Sequence, residues 1–223
     1  MATRPTVVAI VQARLGSTRF PRKVLSDVHG QPLLVRMIDR IRRAQTVHRI
    51  VVATPDDEIC RVAGEAGVWA MKGSEEDVLG RYYRTACDCG ADVVVRLTAD
   101  CPLIDAGVID GVVGSIKNAD FASNVFHRTF PKGLDVEVMW FDTLSRLHRL
   151  AETPEEIEHV TWRVYQKRWE FQSVNYEDVE DNSGENWCVD HPEELALIRD
   201  AYAWMNGTYK SYAEILKWRH ERE

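Results

Sequence analysis

The stretch Gln12-Ala-Arg-Leu-Gly-Ser-Thr-Arg-Phe-Pro-Arg-Lys-Val-Leu25 gathers Arg14, Arg19, Arg22 and Lys23 beside the small residues Ala13, Gly16, Ser17 and Thr18. Small side chains let backbone N–H groups approach a polyphosphate closely, and the guanidinium and ammonium groups offset its charge. That chemistry is a phosphate cradle. No second Gly precedes Lys23, which excludes a Walker A loop, and the loop's single Gly excludes G-x-G-x-x-G. A solvated basic turn is the competing reading, and the position of the stretch directly after a strand weighs against it.

Two aspartates could serve a hard cation. Asp100 stands in Thr98-Ala-Asp-Cys-Pro-Leu-Ile-Asp105 and Asp190 in Asn186-Trp-Cys-Val-Asp-His-Pro-Glu-Glu194. Mg2+ takes one or two carboxylates together with substrate phosphates. Neither aspartate has a Lys or Arg beside it in sequence, which leaves a cation as its natural partner. The competing role is a helix N-cap, and Asp105, ahead of the apolar run 108–116, is read as one.

The elements that must position these residues alternate. Residues 6–11 form a continuous apolar run, the pattern of a strand covered on both faces. Leu33, Leu34, Met37, Ile38 and Ile41 recur at helical spacing; residues 49–54 read as a second strand and 55–58 as a helix start, with Pro early and acids in the first turn. A short strand at 68–71, a helix opening at 74–77 with Ser74 as cap, and a strand at 91–97 follow. This succession predicts an α/β fold, a mainly parallel sheet with helices on both faces. Ligands then bind beyond the carboxyl ends of the strands. Both unusual loops, 13–25 and 98–105, fall at such ends. In the second half, 120–124 and 134–140 read as strands, the latter alternating Leu134, Val136 and Val138 against Asp135 and Glu137. Helices are expected over 155–169, 192–205 and 212–219. There is no repeat and no long linker, so residues 1–223 read as one domain.

Composition narrows the function. Hydrophobic residues make up 45% of the 223 and charged residues 28%, which excludes disordered and coiled-coil classes. Acids outnumber bases 35 to 28, a net charge of −7 that argues against a nucleic-acid-gripping protein. The five cysteines, Cys60, Cys87, Cys89, Cys101 and Cys188, form no framework and read as incidental thiols of a reducing cytoplasm. The apolar run near the N-terminus breaks at Gln12 and Arg14, too short for a membrane span.

Together these stretches resemble the cytidylyltransferases that make CMP-activated acidic sugars, and most closely the spore-coat polysaccharide biosynthesis protein SpsF group. The resemblance rests on residues 9–25, on 96–105, on Phe130-Pro-Lys-Gly-Leu-Asp-Val-Glu-Val138, on Glu158-His-Val-Thr161 and on 187–195, in the family's order. It implies a three-layer, GT-A-like nucleotide-diphospho-sugar transferase fold. It also implies CMP transfer from CTP to a small acidic sugar or related acceptor, with release of pyrophosphate. In that family Arg14, Ser17, Arg19 and Lys23 would hold the triphosphate, with Ala13, Gly16 and Thr98 completing the nucleotide site. Asp100 and Asp190 would bind Mg2+, Asp135 and His159 would shape the acceptor pocket, and a homodimer would form around Trp140 and Phe141. Two departures stand out. Thr98-Ala99 replaces the Gln-Gly usual before the metal aspartate, and Val11-Gln12 replaces Ile-Pro. A metal-dependent glycosyltransferase of the same fold is the nearest rival, but the D-x-D such enzymes carry lacks its first aspartate here. A non-catalytic nucleotide binder would have little use for Arg14, Lys23, Asp100 and Asp190 together.

Overall fold

The computed structural model describes residues 4–222. The expected alternation is present: β1 Val7–Gln12, α1 Leu33–Ile41, β4 Arg49–Thr54, α2 Asp57–Glu65, β5 Trp69–Lys72, α3 Val78–Cys89, β6 Val93–Thr98 and α4 Ala106–Ser115. A small hairpin, β2 Asp27–Val28 and β3 Gln31–Pro32, precedes α1. It turns through His29 and Gly30, both at positive φ, as a tight two-residue hairpin loop requires. Beyond α4 come β7 Phe121–Ser123, β8 Glu137–Trp140, α5 Phe141–Leu150, α6 Pro154–Glu158, α7 Trp162–Gln166, β9 Ser173–Asn175, α8 Glu194–Met205 and α9 Tyr212–His220.

Seven strands form one sheet in the order β5-β4-β1-β6-β8-β7-β9. β1 runs parallel to β4 and β6, β4 to β5, and β7 to β9, while β8 runs against both its neighbours. The sheet is therefore mainly parallel, as expected. The chain builds from β1 toward β5 and then returns to place β6 on the other side. The strand order thus reverses between β1 and β6, the position where open sheets of this kind leave a crevice for ligands.

Alternate side chains of β1 feed two separate cores. Val7, Ala9 and Val11 join residues of α1, α2, α4, α8 and α9, whereas Val8 and Ile10 join residues of α3, α5 and α7. This is the three-layer arrangement, and it explains why residues 7–11 are apolar without interruption. α4 begins behind Asp105, whose carboxylate accepts from the N–H groups of Gly107 and Val108, the cap the sequence indicates. For α3, however, the cap is Asp77, accepting from Gly80 N–H at 2.7 Å. Ser74 sits one turn earlier and accepts from Asp77 N–H, so the helix starts later than residues 74–77 suggest.

Two further differences have tertiary reasons. The strand expected over 134–140 is confined to Glu137–Trp140, and β8 lies between β6 and β7 with both faces covered and Glu137 buried. Its carboxylate receives Arg96 Nη1 from the neighbouring strand, the Thr161 hydroxyl at 3.1 Å and the Tyr165 hydroxyl at 2.6 Å. Burial works against the Arg96 charge, but Glu137 outweighs it and holds Arg96 above its ordinary range. The helix expected over 155–169 is also interrupted. α6 closes at Glu158, His159 leaves helical geometry at φ −106 and ψ 83, and α7 resumes at Trp162. The bond from Thr161 to Glu137 outweighs the helical propensity of the segment and sets the break.

The pair at Glu137 yields a stability test. Glu137→Ala would strand the Arg96 guanidinium and should cost about 3–5 kcal/mol, seen as a lower urea midpoint with an unchanged slope. Glu137→Gln keeps an acceptor for Thr161 and Tyr165 and should cost less. A loss below about 1 kcal/mol in the alanine variant would remove any structural weight from the pair.

Candidate active site

A cavity opens at the carboxyl ends of β1 and β6. Gln12, Ala13, Arg14, Ser17, Thr18, Arg19 and Lys23 line it from the first loop, and Thr98, Ala99 and Asp100 from the second. Asp190 closes one side and Glu158 and His159 another. The sequence-expected nucleotide residues are thus brought together, apart from Gly16, which sits just behind the wall. A Cβ at Gly16 would stand 2.8 Å from Glu75 Oε1, the end of a flexible side chain that would have to shift for any larger residue.

The first loop folds back on itself. The Ser17 and Arg22 N–H groups both donate to Leu15 C=O, and Leu15 N–H donates to Asp56. Arg22 takes a left-handed φ of 61, which starts the one-turn 3-10 helix Lys23–Leu25 and aims Lys23 inward. The Arg22 side chain itself turns outward to Glu58 at 2.7 Å, so it is not part of the cradle.

Lys23 carries the centre of the site. Its ammonium donates to Asp100 Oδ2 at 3.2 Å and to Asp190 Oδ1 at 2.9 Å. The two aspartates, distant in sequence, are therefore closer together than the sum of those distances. The sequence shows no basic neighbour for either, yet the fold supplies three: Lys23, Lys132 at 3.4 Å from Asp190 and Arg19 at 3.4 Å from Asp190. Nor does Asp190 cap α8. Glu194 reaches back to accept from the N–H groups of Asp190 and His191, leaving the Asp190 carboxylate to the cavity.

The remaining expected residues divide. His159 lines the cavity because α6 ends there; an unbroken helix would have carried it past. Asp135 does not line it. Arg128 holds that carboxylate at 2.6 and 2.8 Å, and Gly133 N–H adds a longer bond. Trp140 donates to Ala119 C=O and Phe141 stacks against Tyr83, so both residues are engaged within the chain.

Sequence reasoning missed three contributors. Arg81 of α3 lines the cavity almost fully buried; its Nη1 meets Ser74 C=O and its Nε has no partner. Burial, and then the like charge of Arg14, push its pKa down. Lys132 and Gln12 are the others. All three became visible only when separate strands and helices met at one edge. Two of the supposedly incidental cysteines also converge here: Asp100, Cys101 and Cys188 each place a ligand atom within 4.8 Å of the others. The Cys188 sulfur and then burial hold the Cys101 thiol well above its usual range.

Burial alone would lower Lys23 and raise Asp190, but the opposite charges win in both, holding Lys23 above 10.5 and Asp190 below 3.8. A depressed carboxyl stabilises the fold above its unfolded value and loses that on acidification. A raised ammonium stabilises below its unfolded value and loses that in alkali. The cluster therefore stabilises fully between about pH 4 and pH 10.5. Lys23→Met should destabilise the chain at pH 7 and much less at pH 3, measured by urea unfolding at both. A loss independent of pH would contradict the ion-pair reading.

Comparison with known proteins gives the family and the fold. The family model described as cytidylyltransferase matches residues 8–203. An uncharacterized protein of Methanocaldococcus jannaschii is 33% identical over 166 residues, covering 72% of this chain and 67% of that protein. The 3-deoxy-manno-octulosonate cytidylyltransferase of Geobacter sulfurreducens is 36% identical over 112 residues, 49% of this chain; the chain spans 45% of that relative's length. The solved structure of a cytidylyltransferase from Leptospira borgpetersenii superposes with a TM-score of 0.94 at 28% identity, covering 98% of this chain and 95% of that one. CMP:2-keto-3-deoxy-manno-octonic acid synthetase, solved in complex with CTP, shares the fold at a TM-score of 0.72 and 18% identity, with 89% and 99% covered. Among the described residues no helix is long and apolar enough to cross a membrane. The sequence motifs, the crevice between β1 and β6 and the match over residues 8–203 place this chain in the cytidylyltransferase family.

Proposed function

We propose that the chain is a cytoplasmic cytidylyltransferase that moves CMP from CTP to the hydroxyl of a small acidic sugar or related acceptor, with release of pyrophosphate. The reading treats residues 1–223 as one nucleotidyltransferase domain working as a homodimer. The motif resemblance to the SpsF group supports a place in surface-polysaccharide synthesis, and five free cysteines support a reducing compartment.

One observation carries the chemistry: a lysine held between two carboxylates, with Arg14, Arg19 and Arg81 around the same cavity. A triphosphate is the anion such a cluster suits, since Lys23, Arg14 and Arg19 can each offer a charged donor. Transfer forms a bond from the acceptor oxygen to the α-phosphorus and breaks the bond from that phosphorus to the bridging oxygen of pyrophosphate, the hydroxyl proton leaving to water. In-line displacement of this kind depends on alignment and on neutralised charge. Lys23 and Arg19 hold the departing pyrophosphate, and Arg14 and Ser17 fix the phosphates before it. His159 faces the acceptor from the cavity wall. Asp135, held by Arg128 and outside the cavity lining, would shape the acceptor pocket only through the segment it sits in.

Asp100 and Asp190 would hold Mg2+. Their oxygens are hard donors, and a cationic nitrogen already rests between them, so the position suits a cation. The neighbouring Cys101 and Cys188 sulfurs are soft and suit Mg2+ poorly. When bound, the ion would neutralise phosphate charge and draw electrons from the α-phosphorus.

Pyrophosphate release from a panel of triphosphates and acidic sugars tests the reading, with saturable release from CTP as the expected result. Lys23→Ala should weaken CTP binding by about 1.5–3 kcal/mol, the scale of a charged hydrogen bond, and the more exposed Arg19→Ala by about the lower figure. Asp100→Asn and Asp190→Asn should each abolish turnover in a folded protein. No release from any triphosphate, or unchanged CTP affinity in both basic-loop variants, would overturn the assignment.

A further inference from the structure

Gln12 is the last residue of β1 and lines the cavity. Side chains alternate along β1, so Gln12 falls on the face of Val8 and Ile10, with α3 and Arg81. Val24 and Val189, beside Lys23 and Asp190, belong to the opposite core. Gln12 therefore enters the cavity from the side opposite the core that Val24 and Val189 join, the side it shares with Arg81.

Arg96 lies diagonally across β6 on the same face, its Cα paired with Ile10, and its Nη2 donates to Gln12 Oε1 at 3.2 Å. Arginine has donors only, so the atom Gln12 turns toward it must be the amide oxygen. One amide N–H then points away from Arg96 and the other to the side. Arg96 is itself fixed by Glu137, which also receives Thr161 and Tyr165. A free glutamine could rotate its amide and offer either an acceptor or donors. This one is held in a single orientation.

The difference matters to a pyrimidine. Cytosine presents an acceptor at N3 where uracil presents an N3–H donor, while O2 accepts in both. The geometry points to Gln12 as a base-selecting residue and Arg96 as its positioning residue, the locked amide donating to the cytosine acceptor edge and meeting uracil N3–H donor to donor. This deepens the cytidylyltransferase reading above and rests on it. A site built to hydrogen-bond one partner rejects the analogue that leaves its donor unpaired.

Calorimetric binding of CTP and of UTP, without acceptor, tests it. The wild type should prefer CTP by about tenfold or more. In Gln12→Glu the carboxylate still pairs with Arg96 but has no N–H to donate, so the CTP-to-UTP ratio should fall by about tenfold. Arg96→Met combined with Glu137→Gln frees the amide while keeping acceptors for Thr161 and Tyr165. Its ratio should move toward unity mainly through tighter UTP binding, an effect general loss of structure would not produce. A Gln12→Glu protein that melts like the wild type and keeps its ratio within about twofold would overturn the inference, whether or not the double variant folds. Equal wild-type affinity for the two nucleotides would overturn it while leaving nucleotidyl transfer standing. A wild type that binds neither would overturn the underlying reading and this inference with it.

Discussion

Two carboxylates facing one another at the edge of a buried sheet repel unless a cation lies between them, and here that cation is the Lys23 ammonium, within 3.2 Å of both. At about 6 Å and an effective dielectric of about 20, the repulsion of two such charges is of order 3 kcal/mol. The rest of the site follows from meeting that requirement. The first loop doubles back on Leu15 and passes through a left-handed Arg22 so that Lys23 points inward. Glu194 takes the N–H groups of Asp190 and His191, which leaves the Asp190 carboxylate free to face the lysine. The same arrangement readies the site for phosphate, because a lysine held by two aspartates is already placed among the groups that a triphosphate and its counter-ion would engage.

Beneath this half-buried cluster lies a second, more deeply buried one. Arg96, Glu137 and Ser123 occupy paired positions on three adjacent strands, and Thr161 and Tyr165 reach them from α7 and the turn before it. Taking an ion pair out of water repays its cost only when the remaining donors and acceptors are also satisfied. Glu137 meets that condition with three partners. The consequence reaches the cavity at two points, since Arg96 orients Gln12 and Thr161 fixes the helix break that presents His159.

Much of this was legible in the amino-acid order. The run at 7–11, the spacing of Leu33 to Ile41 and the basic loop each announce themselves, because a strand covered on both faces must be apolar throughout and a phosphate loop must be small and cationic. Asp100 was also found, by its place after a strand, and Asp190 by its motif, although only an isolated bridge at Asn186 and no strand directly precedes it. Their neutralisation by Lys23, Lys132 and Arg19 was not, because local periodicity shows which face is apolar but not which distant charge will arrive opposite. The burial of Glu137 was not legible for the same reason: alternation implies an exposed face only when nothing covers that face, and α7 does. The break at His159 is likewise set by a bond to another strand, and Arg81 looks like any helical surface arginine until α3 is placed at the sheet edge.

The most direct test of the central assignment is a crystal structure of the chain with CTP and Mg2+. The expected result has the triphosphate against residues 14–23, Lys23 Nζ within hydrogen-bonding distance of its oxygens, and the cytosine edge against Gln12. CTP bound away from Asp100 and Asp190, with Lys23 still spanning the two aspartates, would contradict it.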